Sequence, residues 1–136
     1  MSREATCKER AREHYRGRLD DLRKLWKGML DGAEDVPDLG SLNEYGLCFD
    51  YVAPRTFNGQ VRGYFRYQLS WGGPSDEFRF YCDETRRPYK VEYWFLDWND
   101  GAKITAQGHN FELLREIFDW SMEGRHVEAM IDAGRG

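Results

Sequence analysis

An α+β fold is what this sequence predicts: a long N-terminal helix, a four-stranded antiparallel β-meander and a C-terminal helix packed on the sheet. Three observations predict it. Tyr15, Leu19, Leu22, Trp26 and Met29 recur at spacings of four, three, four and three, which places them on one stripe of a helix. Between residues 47 and 98, aromatic-rich runs alternate with period two and are divided by turn residues, the mark of half-buried strands. After Asn110, the apolar residues Phe111, Leu114, Ile117 and Phe118 return to helical spacing. A chain of 136 residues fits one domain, helical over 1–30, sheet over 47–105 and helical over 110–133.

The first helix is expected over residues 4–30, ended by Asp31-Gly32 and Pro37. Its apolar stripe has the look of a helix–helix seam and admits a homodimer, although two heptads are too few for a coiled coil. Arg12, Arg16, Arg23 and Lys27 form a basic row beside the stripe. An acidic loop follows over 31–40. Ser41 with Glu44 resembles a capping box and Gly46 a helix stop, which predicts one helical turn.

The first strand alternates Leu47, Phe49 and Tyr51 with Cys48, Asp50 and Val52, and Pro54 closes it. Asn58-Gly59 signals a turn. The second strand places Phe65, Tyr67, Leu69 and Trp71 on one face, and Gly72-Gly73-Pro74 turns the chain. The third points Phe78, Phe80 and Cys82 inward, opposite Glu77, Arg79 and Tyr81. The fourth runs from Tyr89 to Trp98 and is closed by Asn99-Asp100-Gly101. Short connections favour antiparallel neighbours, because a parallel crossover needs about a dozen residues or more. Asn110 is the expected N-cap of the last helix and Gly124 its end, with a further helical turn or two over 125–133.

The composition excludes several classes. A hydrophobic content of 40% with 32% charged residues describes a globular chain rather than a disordered one. No apolar run approaches the ~18 residues of a membrane span. Met1-Ser2-Arg3-Glu4 has no apolar signal core, and Cys7, Cys48 and Cys82 are odd in number and far apart; both predict a cytoplasmic protein with free thiols. The net charge of −4 hides an asymmetry. Residues 1–30 carry nine Lys/Arg against five Asp/Glu, and residues 31–59 one Arg against six acids. That balance is too mild for a DNA mimic and too acidic for most nucleic-acid binders, so a nucleic-acid partner is not expected.

No pattern in the chain carries catalysis, a cofactor or a metal. Gly72-Gly73 lacks the Lys-[Ser/Thr] of a P-loop, and His14, His109 and His126 stand at no ligand spacing. Cys82 beside Asp83 is not an activated thiol. The run Asp97-Trp98-Asn99-Asp100-Gly101 fails the calcium-loop pattern, because its Gly comes one position early and Gly108 stands where the bidentate Glu belongs. Asp97 shares the inward parity of Tyr93 and Phe95; it is read as capping the following turn, and a carboxylate-based enzyme centred on it is the alternative.

The strand over 89–98 is apolar on both sides, with Tyr89, Val91, Tyr93 and Phe95 on one and Trp94, Leu96 and Trp98 on the other. Either the first helix covers the second side and the last helix the first, or an aromatic patch is open to a partner. On the second reading Trp71, Trp94 and Trp98 are anchors. Asp76, Glu77, Asp83 and Glu84 flank a hairpin as solvated strand ends that engage basic grooves.

The block Tyr64 to Phe78, with Glu92-Tyr93-Trp94-Phe95-Leu96-Asp97-Trp98 and Asp100-Gly101-Ala102, resembles a group of small bacterial proteins associated with phages and plasmids. Proteins of that setting include anti-CRISPR and anti-restriction inhibitors. The resemblance implies a non-enzymatic, protein-binding inhibitor of a bacterial defence complex, acting by steric occlusion. An immunity protein or antitoxin that neutralises a cognate toxin is the alternative with the same surface logic. The resemblance assigns no site residue.

Overall fold

The computed structural model describes residues 6–72, 74–97, 100–123 and 131–134. Helix α1 (Cys7–Leu30) opens on Thr6, whose hydroxyl accepts the Glu9 N–H at 3.1 Å and so satisfies one of the free donors of the first turn. A single turn, α2 (Leu42–Tyr45), leads to β1 (Cys48–Val52), β2 (Tyr64–Ser70), β3 (Ser75–Cys82), β4 (Pro88–Asp97) and β5 (Asp100–Thr105). Helix α3 (Gly108–Met122) follows, and residues 131–134 are helical. The sheet is antiparallel throughout and its strands lie in chain order, β1-β2-β3-β4-β5.

The meander therefore has five strands where the sequence predicts four. Asp100-Gly101 does not only close β4: Asp97 pairs with Asp100, Phe95 with Ala102 and Tyr93 with Ile104. The turn lies where its residues signal it, but the strand beyond is short and mostly exposed, so it carries little apolar alternation.

Register sorts the side chains onto two faces. Phe49, Tyr67, Phe78, Tyr93 and Ile104 are successive partners across all five strands, and Tyr51, Phe65, Phe80 and Val91 make a second row. Ala11, Tyr15, Leu19, Leu22 and Leu25 of α1 and Leu113, Leu114, Ile117 and Phe118 of α3 pack with these rows in one core. Phe118 sits under three strands, with ring centroids 4.9 Å from Phe80, 5.5 Å from Phe65 and 6.0 Å from Phe49. Burying each such ring is worth roughly 1.5–3 kcal/mol. Both helices thus share one face. The expectation that they divide the two faces is corrected, and the apolar seam of α1 packs in and against the chain's own core.

Two bulges correct the parity expected for single residues. A register shift between Gln68 and Ser70 turns Ser70 toward the core and Trp71 outward, so Trp71 is 76% exposed rather than in line with Leu69. A second shift pairs Cys82 with Pro88 and Tyr81 with Lys90, which leaves Tyr89 exposed instead of aligned with Val91. The expected caps also differ. Ser41 makes no side-chain cap bond, and α3 begins at Gly108, so Asn110 lies inside it and accepts from Arg23 Nη2 at 2.9 Å. Gly124 and most of 125–133 lie outside the described residues.

Candidate functional site: a loop-walled groove on the open sheet face

The second face of the sheet is built from charge and aromatic rings. Its two cross-strand rows are Asp50–Arg66–Arg79–Glu92–Thr105 and Cys48–Gln68–Glu77–Trp94–Lys103. Arg66 and Arg79 stand opposite each other, an unfavourable pairing of like charges. Each is answered locally: Arg66 holds Asp50 with two hydrogen bonds at 2.6 and 3.0 Å, and Arg79 Nε donates to Glu77 at 2.8 Å.

Arg79 is the centre of this face. Its guanidinium lies 3.8 Å from the ring centre of Trp94 and 4.7 Å from that of Tyr64, and only 14% of the side chain is exposed. Lys90 sits 4.5 Å over Tyr81 and Lys103 5.7 Å over Trp94. Glu92 is buried between them; Trp94 Nε1 donates to it at 3.1 Å, and the two ammonium groups stand at 3.8 and 3.6 Å. Burial, then the Glu92 carboxylate, push the Tyr81 phenol up to about 12, so it stays protonated. The Tyr64 hydroxyl is buried and has no hydrogen-bond partner among the described residues.

The connection between β1 and β2 forms a wall beside these groups. Gln60 ties it together: its amide donates to the Ala53 and Arg62 carbonyls at 3.0 and 2.6 Å and accepts the Phe57 N–H at 3.1 Å. Gly59, at φ +78°, makes the turn that Asn58-Gly59 signals. Between wall and sheet lies a groove of about 510 Å³. Its charged lining is Arg62, Arg79, Lys90 and Lys103 against Glu92 alone, and Phe57, Val61, Tyr81 and Trp94 supply its rings and apolar surface.

The residues singled out in the sequence are scattered over the molecule. Trp94 lies in the groove and Trp71 at the tip of the β2–β3 turn. Trp98 lies outside the described residues. Asp83 and Glu84 are exposed at the other end of β3, where Asp83 accepts from the Thr85 and Arg87 backbone N–H groups and the Thr85 hydroxyl.

Asp76 and Glu77 are not solvated strand ends. Glu77 is buried against Arg79, and Asp76 is 3% exposed on the helix side of the sheet. Arg18 grips Asp76 with Nε at 2.8 Å and Nη2 at 3.0 Å, while the Tyr93 and Ser70 hydroxyls donate to the same carboxylate. Arg18 also donates to the Tyr45 hydroxyl, which donates in turn to Asp21. Burial opposes ionisation of Asp76, but these hydrogen bonds outweigh it and hold its pKa below the ordinary carboxylate range.

The capping expected of Asp97 involves Trp98 and Asn99, which lie outside the described residues. Asp97 accepts from Arg10 of α1, and Asp100 accepts the Gly101 N–H. Among the described residues no group of His, Cys, Asp and Glu is arranged to hold a metal ion. The thiol of Cys82 is pushed up to about 12 by burial and then by Asp83, far from a nucleophile's range. No described helix is long and apolar enough to cross a membrane.

Sequence reasoning misses Arg79, Glu92, Lys90, Lys103 and Arg62 as a group. Outward parity with Trp94 is a usable signal for Glu92 and Lys90. The wall contributed by Phe57–Arg62 has none. Comparison of the chain with protein families, with curated proteins and with solved structures gives no match.

Proposed function

We propose that this chain is a non-enzymatic binding protein, that its working surface is the open face of the sheet, and that its partner is a protein. The observation that carries the reading is the groove. Both helices cover one face, while the other holds stacked tryptophan, tyrosine and arginine side chains around a concave, loop-walled surface. Trp, Tyr and Arg are the residues from which protein–protein hot spots are most often built. Trp94 in the groove and the exposed Trp71 of the β2–β3 turn are the anchors. Asp76 and Glu77 support the fold from within and leave the partner surface to others. Asp83 and Glu84 sit just beyond the end of β3 that carries Tyr81, exposed to a basic patch on a broad partner.

The resemblance to phage- and plasmid-associated proteins supplies the role: inhibition of a bacterial defence complex by steric occlusion. The test is to express the chain in bacteria carrying a defined CRISPR or restriction defence and to challenge them with phage. Restored plaque formation is expected, reduced by Trp71→Ala with Trp94→Ala. Full resistance under every defence tried would sink the inhibitory role.

A further inference from the structure

The groove also states what chemistry its occupant carries. We infer that it receives an acidic, apolar-flanked segment of a partner polypeptide, whose carboxylates dock on Arg79, Lys90 and Lys103. This rests on the protein-binding reading above and specifies the partner's contact chemistry.

Charge complementarity is the first argument. The chain as a whole carries −4, yet the groove lining holds four basic side chains against one acid. That acid, Glu92, is buried beneath Lys90 and Lys103 and is already balanced by them. A concave basic surface on an acidic protein concentrates field where an anion can enter.

Donor supply is the second argument. Arg79 commits Nε to Glu77, and its remaining N–H groups donate no hydrogen bond among the described residues. Trp94 and Tyr64 hold the fork in place, so little side-chain entropy is lost when it binds a carboxylate. Lys90 and Lys103 stand beyond hydrogen-bond reach of Glu92, and neither donates a hydrogen bond to any other described residue. Three cationic groups thus face one groove with donors to spare.

The apolar lining selects a polypeptide over a nucleic-acid strand. Phe57 and Val61 are 49% and 80% exposed on the wall, and Tyr89 stands beside it with its hydroxyl accepting from Arg62. These suit an apolar side chain next to an acidic one. A single strand would need bare ring faces to stack its bases. Here Arg79 and Lys103 lie over Trp94, and Lys90 lies over Tyr81.

The experiment uses the full chain and fluorescence anisotropy with a short labelled peptide of Glu and Phe. A peptide of Lys and Phe and an oligo-dT strand serve as the other arms. Saturable binding of the acidic peptide is expected. It should weaken as salt rises and fall about tenfold or more in Lys90→Gln/Lys103→Gln, as when charged interface pairs are broken. Arg79→Lys, which keeps the charge but loses the fork, should also weaken it. Lys24→Gln, on the exposed side of α1, should not. Lys90→Gln alone leaves Lys103 beside Glu92 and should also weaken binding, so this single variant tests the idea even where Arg79→Lys or the double variant fails to fold. Equal or tighter binding of the basic peptide or of oligo-dT overturns the inference, as does an unaltered affinity in the double lysine variant. A protein partner that needs Trp94 but ignores both lysines would overturn it too, while leaving the binding reading intact.

Discussion

Asp76 shows how much one buried carboxylate can organise. It ties α1 to the sheet through Arg18 and fixes the Ser70 and Tyr93 hydroxyls at the same point. Asp76→Asn would leave Arg18 without its counter-charge in a largely buried place. A loss of about 3 kcal/mol in urea unfolding is expected, the lower end for a buried ion pair stripped of one partner. The effect carries a pH signature. The folded-state pKa of Asp76 lies below its unfolded value, so its stabilisation is whole above about pH 4, where the unfolded carboxylate is ionised. It is lost as pH falls through the native pKa. The urea midpoint should therefore drop less steeply between about pH 4 and pH 2 in Asp76→Asn than in the parent protein. An identical slope would show that other carboxylates govern acid unfolding. None of this is legible from residues 76 and 77 alone. Adjacent acids after a Gly-Pro turn look solvated, and only the bulge at Ser70 together with Arg18, 58 positions away in sequence, makes one of them internal.

Elements are more legible than the faces they bury. The period of α1, the alternation of β2 to β4 and the stripe of α3 reflect burial on one side, and burial leaves a mark in sequence. What leaves no mark is a contact made by a neighbour's shape. Gly46 reads in the sequence as a helix stop set by conformation, yet its φ of −92° is open to any residue. Its real constraint is Tyr67: a Cβ at position 46 would stand 2.0 Å from that ring. Gly46→Ala should force Tyr67 out of its place against Phe49 and cost about 1–3 kcal/mol, as overpacking does. Gly17 is the counter-case. It lies inside α1 with nothing within 4 Å of the point a methyl group would occupy, so Gly17→Ala should stabilise by about 0.5–1 kcal/mol through helix propensity. Opposite signs in thermal unfolding of the two variants would confirm that packing constrains the first and backbone entropy the second.

At the scale of the molecule, the proposed recognition surface lies on the sheet face opposite the helix-packed core, so stability and binding should be separable by mutation. Period-two alternation predicts two unlike faces, but it cannot say that both helices choose the same one. That choice follows from α1 and α3 packing side by side, where Trp26 and Trp120 meet edge to face at 6.4 Å. With both helices packed on one side, the other is left to charged and aromatic residues, some exposed like Lys103 and some held in local pairs like Arg79 with Glu77. Trp71→Ala removes an exposed ring and should change unfolding free energy by no more than about 0.5 kcal/mol. Trp94→Ala removes the deck under Arg79 and should cost about 1–2 kcal/mol, the range of a partly desolvated cation–π contact. Both should weaken capture of the protein partner far more than they weaken the fold. Leu22→Ala, in the core under α1, should do the reverse and destabilise by about 2–5 kcal/mol while the folded fraction still binds. Measuring unfolding and partner capture on the same three variants decides the matter. If binding tracks stability across all of them, the open face has no recognition role of its own, and the aromatic–cation stacks belong to the fold alone.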